Sequence, residues 1–105
     1  LDNLHVIVDH NNFQQTGRNN DIMKLGSLKD KWSSFGFAVK EVDGHEISDL
    51  EKLVSTLPLS NDKPSVVICH TVKGKGFPFA EGNAEWHHKS KMSDTELEKM
   101  YQLLL

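Results

Sequence analysis

Two short runs constrain the fold of this chain more than any other feature: Leu4 to Val8 and Ser65 to Cys69. Both are apolar and β-branched, and their continuous character predicts strands buried on both faces, as in a parallel sheet. A third run, Phe37 to Val42, is interrupted by Lys40 and Glu41 and predicts a strand nearer an edge. Three helices fall between and after these strands. Ser27, with Asp30 three residues on, caps a first helix that places Leu28, Trp32 and Phe35 on one face and stops at Gly36. Ser48 and Glu51 form a capping box for a second, with Pro58 beyond its end. Ser93 and Glu96 repeat the pattern for a third, whose apolar stripe is Leu97, Met100, Tyr101 and Leu104. The alternation predicts an α/β fold with an open, mainly parallel sheet and flanking helices. Ligands of such sheets bind outside the carboxyl ends of the strands. Chemistry is therefore expected at Asp9 to Phe13, Asp43 to His45 and His70 to Gly76.

Composition narrows the function classes. The 105 residues suit one domain or part of one, and 37% hydrophobic with 26% charged residues fits a globular chain rather than a disordered one. A formal net charge of -3, with no dominant basic face, argues against a nucleic-acid binder. No apolar run is long enough to span a bilayer. The single Cys69 rules out an internal disulfide and is expected to be core. A reducing compartment, the cytoplasm, is the simplest expectation. No signal peptide is visible, and the first residue is Leu1, so a processed, trimmed or partial chain is expected.

Three local patterns can carry chemistry. Asp9-His10-Asn11-Asn12-Phe13 follows the first strand, and an Asn side-chain oxygen with a backbone carbonyl two residues on can face one hard cation such as Mg²⁺. Read alone, a polar turn accounts for it better. Lys73-Gly74-Lys75-Gly76 follows the third strand and suits a phosphate or diphosphate, though it lacks the Walker spacing and, read alone, is better described as an exposed glycine-rich turn with solvated lysines. His87 and His88, beside Trp86, lie in the long segment Lys73 to Met92, and acid–base chemistry or metal binding fits them about as well as a polar surface loop does. The polar stretch Gln14 to Asn20 is expected to be an exposed loop and Ser60 to Pro64 a short turn. His5 is expected to pack, and His45 to serve a turn.

Taken in order, these pieces resemble the transketolase family. Leu1-Asp2-Asn3-Leu4 with Val6-Ile7-Val8-Asp9-His10-Asn11 resembles the segment after the family's Gly-Asp-Gly motif. Lys31-Trp32, Phe35-Gly36 and Val42-Asp43-Gly44-His45 resemble the next block. His70-Thr71-Val72-Lys73-Gly74-Lys75-Gly76, Glu81-Gly82-Asn83 and Trp86-His87 complete it. The form most resembled is the split bacterial one, in which the domain binding the cofactor diphosphate and the pyrimidine-binding domain are separate polypeptides. On this resemblance residues 1–105 are the C-terminal part of the thiamine-diphosphate-binding domain.

The resemblance implies thiamine diphosphate and Mg²⁺ as cofactors, with the cofactor carrying two-carbon ketol transfer from a ketose to an aldose phosphate in carbohydrate metabolism. It implies that Asn11 binds Mg²⁺ through its side chain and Phe13 through its backbone carbonyl. Lys73 lines the cofactor site, and His87 stands near the diphosphate and the substrate hydroxyls. The implied partner is the C-terminal subunit with the pyrimidine-binding domain, in an oligomeric complete enzyme. Two departures bear on this. The family's usual Gly after that histidine is His88 here, and the Gly-Asp-Gly motif is not in the chain. The 105 residues alone are therefore expected to be inactive. Two alternatives stand: a related carboligase, such as a deoxyxylulose-phosphate synthase or an enzyme modifying surface-polysaccharide sugars, and a non-catalytic α/β module that binds a partner chain.

Overall fold

A computed structural model describes residues 1–105. Strands β1 (His5–His10), β4 (Ala38–Asp43) and β5 (Ser65–His70) form the main sheet, in the order β1-β5-β4 with both pairings parallel. Between them lie β2 (Phe13–Gln14), β3 (Gly17–Arg18), α1 (Asn19–Ile22), α2 (Leu28–Ser34) and α3 (Ile47–Ser55). A single 3₁₀ turn, Ala84–Trp86, and α4 (Asp94–Leu104) follow β5. The open parallel α/β sheet expected from the alternation is present.

The central strand is the one whose sequence tolerates no water. Ser65, Val66 and Ile68 are fully buried, with Val67 and Cys69 nearly so. Ser65 is a polar residue in this core, and its hydroxyl accepts a hydrogen bond from the Leu59 N–H at 2.9 Å, which meets the requirement that buried polar groups be paired. On one side Leu53 of α3 packs with Val67 and Cys69, joined by Val42, Leu50, Leu57 and Leu59. Elsewhere, Trp32 of α2 meets the Phe37 ring edge-on at 4.8 Å.

Several expectations are corrected. β1 is an edge strand with alternating exposure, and Ile7 is 67% exposed, because β5 covers only one of its two edges and no helix covers both faces. His5 is exposed rather than packed. Phe35 closes α2 as its C-cap and stays largely exposed, so Leu28 and Trp32 carry the covered part of the apolar face. The cap of α3 is Glu46, whose carboxylate accepts from the Ser48 N–H at 3.3 Å and hydroxyl at 3.0 Å; Ser48 is already helical. The stretch from Gln14 to Asn20 is not a plain loop. It forms the β2–β3 hairpin and the start of α1, with Asn19 buried and its N–H donating to the Asn12 carbonyl at 2.9 Å. The other caps stand as expected. Ser27 accepts from the Asp30 N–H at 3.1 Å, and Ser93 and Glu96 make a reciprocal capping box.

Candidate functional site

Parallel register brings the strand ends together. His10 pairs with His70 and His70 with Asp43, so the segments after β1, β5 and β4 leave the sheet at one level. Asn11, Asp43 and His70 thus share the carboxyl edge, the place where open sheets of this kind bind ligands.

After β1 the chain turns sharply. Asn11 Oδ1 accepts the Phe13 N–H at 2.9 Å, an Asx turn that Asn12 completes with φ of 65°. The Asn11 side chain and the Phe13 main chain are therefore held in fixed relation by two residues of sequence. The Phe13 ring lies under the Arg18 guanidinium, 5.2 Å from its centroid, which fixes the short hairpin. Asn11 and Phe13 line an open cleft of about 330 Å³ that also takes in His10, Asn19 and Trp32.

After β5 the chain makes a closed loop. The Gly82 N–H donates to the Lys73 carbonyl at 2.9 Å, so residues 73 and 82 form its neck. Gly74 has φ of 74°, and a β-carbon there would stand 2.6 Å from the Ala80 carbonyl oxygen. This glycine serves close packing of the loop on itself. The Gly76 N–H donates to Glu81 Oε1 at 3.1 Å, and Lys75 Nζ lies 3.9 Å from the same oxygen. Within this loop Glu81 thus engages both Gly76 and Lys75. Lys73 remains half-buried at the neck.

His87 follows the 3₁₀ turn. Its Nδ1 is buried and has no hydrogen-bond partner. Burial pushes its pKa down from the ordinary 6.5, and the Lys73 ammonium and the neighbouring His88 act in the same direction. Lys73 and His87 are therefore close enough to sense one another. His88 Nε2 lies 3.0 Å from Gln15 Oε1, just past the Asn11–Phe13 turn. The structure thus ties the two loops expected to carry chemistry to each other.

Three features had not been read from the sequence. His10 Nδ1 and His70 Nδ1 are 3.2 Å apart, and His70 Nε2 reaches Glu41 Oε1 at 3.0 Å, a relay across all three strands. Both histidines end their strands, so a parallel register could have paired them in advance. His45 Nε2 accepts the Val72 N–H at 2.7 Å and Asp43 Oδ1 accepts the His45 N–H at 2.8 Å, which makes His45 a brace between two loops as well as a turn residue. Gln15 adopts φ of 24°, which nothing in its residue type announces. Cys69 is buried as expected, and burial followed by the nearby Asp9 charge raises its pKa, which disfavours the thiolate.

A family model described as transketolase, thiamine diphosphate binding domain, matches residues 1–104. The chain belongs to the transketolase family. It is 42% identical over 88 residues to an apulose-4-phosphate transketolase subunit of Phocaeicola vulgatus, a match covering 84% of this chain and 31% of that protein. It is 35% identical over 105 residues to the 6-deoxy-6-sulfo-D-fructose transketolase subunit SqwG of a Clostridium species, covering 94% of this chain and 38% of the relative. The crystal structure of a transketolase from Campylobacter jejuni superposes with a TM-score of 0.82 at 25% identity, over 99% of this chain and 16% of that one. This transketolase-family chain thus spans about a third of the length of the curated relatives it matches.

Proposed function

We propose that these residues hold the metal and diphosphate end of thiamine diphosphate in a split transketolase that moves a two-carbon ketol unit from a ketose to an aldose. On this reading they are the C-terminal part of the cofactor-binding domain. The observation that carries it is the gathering of Asn11, Phe13, Lys73 and His87 on two linked loops at the carboxyl end of a parallel sheet.

The donor set fits the cofactors. Asn11 Oδ1 accepts one hydrogen bond and keeps a second lone pair, and with the Phe13 carbonyl it offers the hard oxygen ligands Mg²⁺ takes. The unpaired, buried Nδ1 of His87 supports a ligand group beside it, since a buried polar nitrogen without a partner is costly. When bound, thiamine diphosphate supplies the nucleophilic carbon on which ketol transfer depends.

The chain's own residues have separate tasks. Asn11 and the Phe13 carbonyl would fix the cation, and Lys73 would offset diphosphate charge. His87, whose depressed pKa keeps the ring neutral near pH 7, would exchange hydrogen bonds with a substrate hydroxyl. The relatives named as subunits support a partner chain carrying the pyrimidine-binding domain, and their names support a phosphorylated or sulfonated sugar as substrate. We place the assembled, oligomeric enzyme in the cytoplasm. The test is an assay of the full-length protein with its partner chain, comparing a ketose phosphate with pyruvate as donor to an aldose phosphate acceptor. Transfer from the ketose supports the reading. Turnover of pyruvate alone would instead assign a synthase of the deoxyxylulose-phosphate type, and no turnover of either would favour a non-catalytic module.

A further inference from the structure

We propose that His88 is a positioning residue, which holds the His87 ring through an edge-to-face contact and anchors the loop to Gln15; this rests on the reading of His87 given above. The two imidazoles meet with centroids 4.5 Å apart and planes at 87°. His87 makes no other aromatic contact and its Nδ1 makes no hydrogen bond, so the edge of His88 is the directional contact that bears on its ring orientation. His88 is itself held. Its Nε2 donates to Gln15 Oε1 at 3.0 Å, across 73 residues of sequence. No other hydrogen bond connects residues 84–92 with residues 1–79. A tilted contact between Trp86 and Phe79, with centroids 5.2 Å apart, fixes the start of the segment but not the direction of the ring one residue later.

Gln15 is an unusual anchor. Its φ of 24° lies in a region that side chains with a β-carbon enter at a cost. That backbone sets the amide at the tip of the hairpin, where it meets His88. The anchor is two residues from Phe13, so the link couples the position of the His87 ring to the turn that carries Asn11. A side chain that acts through the placement of another influences rate by geometry rather than by contact with substrate.

The experiment uses the full-length protein with its partner chain and three variants: His88→Ala, Gln15→Leu and the double. Both side chains are exposed, so the fold is expected to survive, which thermal melting checks. Each single variant is expected to lower kcat about three- to tenfold, the range of one neutral hydrogen bond. The double variant is expected to be no worse than the poorer single one, because both act through one link. In the cofactor-free protein, the ring-proton resonances of His87 are expected to move in both single variants, since His88→Ala removes the edge-to-face partner and Gln15→Leu releases it. Additive losses in the double variant, or His87 resonances unmoved by Gln15→Leu, would overturn the proposal. If the wild-type enzyme shows no ketol transfer, the functional reading fails, while the ring resonances still decide whether Gln15 and His88 set His87.

Discussion

Gly44 and Thr71 leave no room between them for one methyl group. A β-carbon on Gly44 would stand 2.4 Å from Thr71 Cγ2 and 3.1 Å from Cys69 Cβ. The contact arises because the Gly44 N–H donates to the His70 carbonyl at 2.8 Å, which draws the turn after β4 onto the end of β5. Gly44→Ala is expected to destabilise the protein by about 1–3 kcal/mol, as overpacking does. Thr71→Ser in the same chain removes the clashing methyl and keeps the hydroxyl that donates to Asp9, so it should restore part of the loss. Denaturant unfolding of the single and double variants measures both.

A second prediction concerns the core. Ile68 is fully buried at the centre of β5. Ile68→Ala leaves a cavity and is expected to cost about 2–5 kcal/mol. A loss below about 1 kcal/mol in chemical denaturation would mean that β5 is not the central strand.

A third concerns acid. Glu96 accepts from Lys89 and from the Ser93 backbone, and these bonds hold its pKa at about 2, below the ordinary 4.5. A carboxyl whose folded value is depressed contributes stability above its unfolded value and loses it as pH falls through the folded one. The contribution of Glu96 is therefore expected in full above 4.5 and gone near 2. Melting temperatures of wild type and Glu96→Gln should converge as pH falls across that window, and added salt should narrow their difference at neutral pH. A constant difference would place the carboxyl outside the ion pair.

The sheet was legible because its signal is local. The runs at Leu4 and Ser65 are continuous, that at Phe37 is broken only by Lys40 and Glu41, and turn residues follow them, which suffices for strand identity and parallel order. Burial was less legible, since similar β-branched runs gave a fully buried β5 and a half-exposed β1, and only neighbours in space separate the two. The cap of α3 went to Glu46 because its longer side chain reaches the N–H and hydroxyl of Ser48 from two residues upstream. At the site, the five residues after β1 were legible as a polar turn able to offer two oxygens, and the family resemblance singled out Asn11 and Phe13 within it. Lys73 and His87 took their candidate roles from the family resemblance. Their proximity, like the meeting of His88 with Gln15, depends on a loop closed by Gly82 and Lys73, which no spacing rule encodes.

The central claim is that Asn11 stands in the shell of a cation that binds the cofactor diphosphate. The measurement is calorimetric titration of the full-length protein and its partner chain with thiamine diphosphate at fixed Mg²⁺, for wild type, Asn11→Ala and Phe13→Leu. Loss of one charge-assisted contact costs about 1.5–3 kcal/mol, which is roughly one to two decades in affinity. Asn11→Ala is expected to show that loss, whereas Phe13→Leu keeps its carbonyl and should stay within about threefold of wild type, less than 1 kcal/mol. Wild-type affinity in Asn11→Ala would contradict the account and leave the segment after β1 as a polar turn.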